Sequence, residues 1–118
     1  MTMTMQSGNS VINFKVSTFD TSKMGDEKAQ AVKVLEEAAE MFAAWQKFND
    51  FLSFVSQQDP DVQWSYGRGV EEFMLDFEDE VADVIMAACN LVERYDGSGM
   101  EAAMKRCEMR NRERGRYK

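Results

Sequence analysis

Two long runs of helical periodicity, separated by the chain's only proline, limit this sequence to a small set of folds. In the first, over about residues 27–56, Val34, Ala38, Met41, Trp45, Phe48 and Leu52 alternate steps of four and three along one face. The second, over about 70–95, repeats the pattern with Val70, Met74, Phe77, Val81, Ile85, Ala88, Val92 and Tyr95. Gln57-Gln58-Asp59-Pro60-Asp61 breaks the helix between them, and a loop containing Trp64, Tyr66, Gly67 and Gly69 follows. The expected architecture is all-α: two long antiparallel helices plus a shorter third helix over about 100–113. Asp26 is placed to cap the first helix and Ser98 the third, after Asp96-Gly97-Ser98-Gly99 ends the second.

Residues 1–10 are small and polar and read as a loose tail ahead of a single domain over 11–118. Val11 to Phe19 is enriched in β-branched and aromatic side chains, and either a short strand or an extended segment docked on the helices fits it. At 118 residues the chain buries only a modest share of its surface alone, and apolar residues nearly encircle 31–45, Val32, Leu35, Ala39 and Phe42 lying beyond the main stripe. A homodimer or homotetramer is the expected assembly.

A net charge of −7 argues against general nucleic-acid binding, which rewards basic surfaces. The charge is uneven: residues 105–118 hold seven Lys/Arg against two acids, leaving seven against nineteen in the remainder. An acidic body thus carries a basic C-terminal arm. Cys89 and Cys107 sit within helical patterns without CxxC spacing and read as free thiols of a reducing compartment. No stretch has the length of a membrane span and the N-terminus lacks the features of a secretory signal, so a cytoplasmic location is expected.

The acids are more informative than the total charge. At ~100° per residue, Glu37 and Glu40 lie about 60° apart beside the apolar stripe, and Glu80 and Asp83 repeat that placement on the second helix. In each helix an alanine, Ala44 or Ala87, follows four residues after the second acid, so no bulky side chain crowds the pair. Two such pairs facing each other repel unless a cation lies between them. All-oxygen ligands select a hard cation, Mg²⁺, Mn²⁺ or Ca²⁺; the absence of histidine closes di-iron bundles and His-based zinc sites. Against this stands the ordinary role of helical glutamates as a solvated face; Glu71, Glu72, Glu78 and Asp79 read as solvated or capping acids near the start of the second helix, and Glu36 either as a solvated acid or as a support for the ligands beside it.

Leu35-Glu36-Glu37-Ala38-Ala39-Glu40, followed by Glu80-Val81-Ala82-Asp83-Val84-Ile85, resembles the EExxE and ExxD signature of MazG-like nucleotide pyrophosphatases. The ending from Arg110 to Tyr117 is similar to the Asn/Arg-rich close of their compact phage and bacterial members, so the resemblance covers about residues 27–117. It implies hydrolysis of a nucleoside triphosphate between the α- and β-phosphates, with Mg²⁺ held by Glu37, Glu40, Glu80 and Asp83. Thirty-nine residues separate Glu40 from Glu80, more than the compact pattern, and the extra loop is expected to carry specificity. Cys107 stands where some relatives have a lysine, with Lys105 and Arg106 beside it.

Within this expectation, Glu36 or Glu40 is positioned to take a proton from water. Lys33 either reaches phosphate or pairs with Glu37 at i,i+4. Lys105, Arg110, Asn111, Arg112 and Arg114 are the expected substrate-binding residues, guanidinium forks matching phosphate oxygens. Trp64 and Tyr66 either stack on a base or anchor the loop on the core, and Trp45 belongs to the core or to a dimer interface. The competing functions are cleavage of phosphoribosyl-ATP, a degenerate regulatory pyrophosphatase, and a non-enzymatic helical module that binds a protein partner through its Met-rich surface.

Overall fold

The computed structural model describes residues 10–95 and 99–118. Its elements are four helices: α1 (Glu27–Ser56), α2 (Pro60–Gln63), α3 (Gly67–Glu93) and α4 (Met100–Glu113), with 3₁₀ turns at Thr21–Lys23 and Trp64–Tyr66. Among the described residues there is no strand, and no helix is long and apolar enough to cross a membrane. The expected tail, apart from Ser10, and the expected cap Ser98 lie outside the described residues.

Local chemistry sets the helix ends. The Asp26 carboxylate accepts from the Ala29 N–H at 2.8 Å, and α1 starts at the next residue. Pro60 occupies the first turn of α2, where its missing N–H is no loss, and Asp59 caps it by accepting from the Asp61 N–H. Residues 57–69 are therefore mostly helical turns rather than the expected loop, and α3 begins at Gly67, ahead of the expected start. At the far end, Gly115 takes φ 70°, its N–H donating to the Arg112 carbonyl while that of Arg116 reaches Asn111, a Schellman close that stops α4.

Helices α1 and α3 run antiparallel, the Arg94 guanidinium meeting Glu27 at 3.6 Å at one end and Phe51 lying against Gly69 at the other. Their shared seam follows a heptad pattern, through residues 34, 37, 41, 44, 48, 51 and 55 on α1 and 70, 73, 77, 80, 84, 87 and 91 on α3, all buried or half-buried. Relative to the stripes expected from hydrophobicity, the seam is rotated toward the acids by roughly 50–80°. Glu37, Ala44 and Phe51 stand where Ala38, Trp45 and Leu52 were expected, and Glu80 stands where Val81 was. Trp45 is consequently 43% exposed, so it is not core within the single chain.

The core lies at the hairpin end. Phe48, Val55 and Val70 are buried there, with Phe51, Leu52, Tyr66, Phe73 and Phe77 around them. Phe51 and Phe73 have ring centroids 4.9 Å apart, and Tyr66 meets Phe54 edge-on at 5.4 Å. Tyr66 is thus an anchor for the turn, whereas Trp64 is 78% exposed. Residues 10–20 form neither a strand nor a helix; they run beside α3, where the buried Asn90 side chain accepts from the Phe19 N–H at 2.9 Å and Ile12, Phe14 and Val16 line a groove with Phe77, Val81 and Ile85.

Candidate metal centre

Because the seam passes through positions 37 and 80, both glutamates point between the helices. Glu37 is only 7% exposed. One oxygen each from Glu37, Glu40 and Glu80 lies within 4.8 Å of the others. The buried Oε2 atoms of Glu37 and Glu80 have no hydrogen-bond partner among the described residues, an expensive arrangement for acceptors removed from water. Ala44 and Ala87 hold neighbouring seam positions and leave the space around the acids open.

Charge in the group is distributed asymmetrically. Lys33 Nζ donates to Glu37 Oε1 at 2.8 Å, and this bond holds the Glu37 carboxyl below its ordinary range while pushing the Lys33 ammonium up. Repulsion from Glu37, reinforced by burial and by Glu80, pushes Glu40 up. Without a cation, Glu40 therefore retains a proton more readily than Glu37.

The donor set suits a hard divalent ion. Mg²⁺ with oxygens at about 2.1 Å spans up to about 4.2 Å between opposite ligands, close to the 4.8 Å within which the three carboxylate oxygens lie, so these residues could hold one ion. The two oxygens lacking partners are the atoms such an ion would satisfy. Beyond Glu40 and Glu80 a groove of about 360 Å³ opens along the helices, lined also by Lys47, Phe73, Asp76 and Asp79.

The other expected site residues are distributed differently. Asp83, expected as the fourth ligand, is exposed and does not belong to the three-carboxylate group. Glu36 is exposed on α1. Lys33 is engaged by Glu37, in line with the i,i+4 pairing. Helix α4 makes no substantial packed interface with α1 or α3, and none of its residues lines the groove. Its side chains engage one another: Lys105 pairs with Glu101 at 3.6 Å, Asn111 donates to Cys107 Sγ, and Arg112 pairs with Glu108 at 3.0 Å with its guanidinium over the Tyr117 ring.

Lys47, Asp76 and Asp79 were absent from the expected site. Their signal was present in the spacing, since Lys47 follows Glu40 by seven residues and Asp76 precedes Glu80 by four, each on the face of its neighbour. No family model matches the chain, and no curated protein or solved structure does.

Proposed function

We propose that this chain is a Mg²⁺-dependent nucleoside triphosphate pyrophosphohydrolase, producing a nucleoside monophosphate and pyrophosphate. The observation that carries the reading is the convergence of Glu37, Glu40 and Glu80 from two helices, with two buried carboxylate oxygens lacking any donor. The resemblance of the segments around these acids to the MazG-like signature supports the choice of reaction. Glu37, Glu40 and Glu80 would hold the ion, with Asp83, three residues beyond Glu80 and one turn along α3, as the fourth acid of the resembling signature. Bound Mg²⁺ would neutralise charge on the phosphate chain and acidify water. Glu40, at the border between the acids and the groove, is placed to accept a proton as water adds to the α-phosphorus and pyrophosphate departs.

The same proposal includes self-association. The accessible surface is 9364 Å², against about 6,500 Å² for a compact monomer of this mass, and obligate dimers bury ~2,000 Å² or more in total. Leu35, 72% exposed, and Phe42, 56% exposed, continue the apolar face of α1 past Trp45, on the side of the seam away from the groove. A dimer or tetramer that covers this face would complete the bundle. That face is also what favours the second reading, a helical module binding a partner protein.

A nucleotide panel separates the two. Each NTP and dNTP incubated with Mg²⁺ is expected to release pyrophosphate, and EDTA to abolish the release. Release of single phosphates, or turnover indifferent to chelation, would sink the pyrophosphohydrolase reading, and no turnover on any nucleotide would leave the module.

A further inference from the structure

Helices α1 and α3 with the Arg94 cap carry five cations, Lys28, Lys33, Lys47, Arg68 and Arg94. Three of these are engaged with carboxylates: Lys33 with Glu37, Arg68 with Glu72 and Arg94 with Glu27. Lys47 is the one that lines the groove opening from the acid cluster. It has no ion pair or hydrogen bond among the described residues, although Asp76, Asp79 and Glu80 line the same groove. Lys47 is thus an exposed cation on the wall of a groove it shares with these carboxylates, paired with none of them.

We infer that Lys47 is the residue through which the groove holds the phosphate chain of its substrate. The inference rests on the reading of Glu37, Glu40 and Glu80 as a metal site, and it replaces the arm residues Lys105, Arg110, Arg112 and Arg114 as the first phosphate contact. The chemistry follows from the surroundings. A polyphosphate brought to a groove lined by Glu40, Asp76, Asp79 and Glu80 meets repulsion on most sides, and only a divalent ion or a cationic side chain offsets it. Lys47 lies two turns beyond Glu40 toward the hairpin end, so phosphates extending from an ion at the acids along the groove reach its ammonium. A lysine suits this task as a compact point charge with three rotatable donors on a flexible stem, able to follow a phosphate chain. The alternative role for Lys47 is to offset the charge of Asp76 and Asp79, and the two roles differ in what happens to metal and to phosphate separately.

Calorimetric titrations of the full chain at ~0.15 M ionic strength, where long-range attraction is screened within ~8 Å, test this with two probes: Mg²⁺ alone, and inorganic tripolyphosphate in saturating Mg²⁺. Lys47→Gln is expected to weaken tripolyphosphate binding about tenfold, the order of one charge-assisted hydrogen bond. Affinity for Mg²⁺ alone should hold, and Lys47→Arg should restore most of the loss. Unchanged tripolyphosphate affinity in Lys47→Gln, or a rise in Mg²⁺ affinity as the only effect, would overturn the assignment and leave Lys47 as a counter-charge. If the unsubstituted protein binds no Mg²⁺, the metal site itself falls, and that result is distinguishable because it appears in the first titration.

Discussion

At the hairpin end, the α1–α3 seam is filled by Phe48, Phe51, Val55, Val70, Phe73 and Phe77, while the middle of the same seam carries Glu37, Ala44, Glu80 and Ala87. Both stretches obey one spacing, yet the first stabilises the fold by itself and the second does not. Aromatic rings at the seam remove apolar area from water and contact one another, each contributing up to about 3 kcal/mol. Two glutamates with alanines at the neighbouring seam positions bury little apolar area, and their buried Oε2 atoms have no hydrogen-bond partner among the described residues. The acids are contributed by both helices of the hairpin, and the neighbouring aromatic cluster is what holds the two helices together there.

The largest expected effect attacks the aromatic end. Phe48→Ala should lower unfolding free energy in urea by about 3–5 kcal/mol, whereas Glu37→Gln should alter it little, because it exchanges the ion pair to the half-exposed Lys33 for relief of charge crowding around the buried carboxylate. Comparable losses in the two variants would erase the distinction between the regions.

Activity should respond in the opposite order. Under the proposed function, Glu37→Gln is expected to reduce pyrophosphate release by at least about a hundredfold, since even residues that only support metal ligands shift activity 10–100-fold. The folded fraction of Phe48→Ala should retain most of its turnover. Wild-type rates in Glu37→Gln would remove that carboxylate from the metal site.

A smaller effect probes how closely the helices approach. A Cβ on Gly69 would sit 2.7 Å from Phe51 Cζ, and that ring is held by Phe73 and Tyr66. Gly69→Ala should therefore lose about 1 kcal/mol net, overpacking of 1–3 kcal/mol exceeding the ~1 kcal/mol helix-propensity gain. Thermal melts that rise on this substitution would mean that the rings shift freely.

The finest test concerns pH. Glu40 is raised in the folded state by Glu37, so its contribution to stability is fully present below the ordinary carboxylate value of 4.5 and is lost as pH rises through its folded pKa. Glu37, lowered by Lys33, contributes above 4.5 and loses that contribution as pH falls through its own folded pKa. In EDTA, Glu40→Gln should consequently be more stable than the parent at neutral pH, with the advantage fading toward pH 4.5, while Glu37→Gln should show no such gain. A Glu40→Gln variant less stable at pH 7 would place the repulsion elsewhere. Mg²⁺ should reverse the ranking, because binding requires Glu40 deprotonated.

Much of the local architecture was readable before any coordinates. The cap at Asp26, the stop before Pro60 and the span of α1 follow from interactions within a few residues, and the paired acids follow from i,i+3 geometry. Gly115 and its Schellman bonds were readable in the same way but were merged into a basic arm, since the arginines around it dominate the composition. The seam was harder. A hydrophobic count assigns Trp45 inward and Glu37 to the flank, because it scores each helix alone; the true assignment depends on how both helices fit together.

The sequence by itself therefore determined an all-helical chain, the ends of α1, and two acidic pairs at matching spacing, all set by capping, proline and helical periodicity acting locally. Only the tertiary structure decided that the seam runs through Glu37 and Glu80, that Tyr66 turns inward while Trp64 and Trp45 do not, that Asp83 lies outside the group Glu37, Glu40 and Glu80 form, and that Lys33 is engaged while Lys47 is left in the groove. Those choices follow from the register of α1 against α3, which is the sum of contacts between residues far apart in the chain. The rings at the hairpin end anchor that register, and the acids are carried to their positions by it.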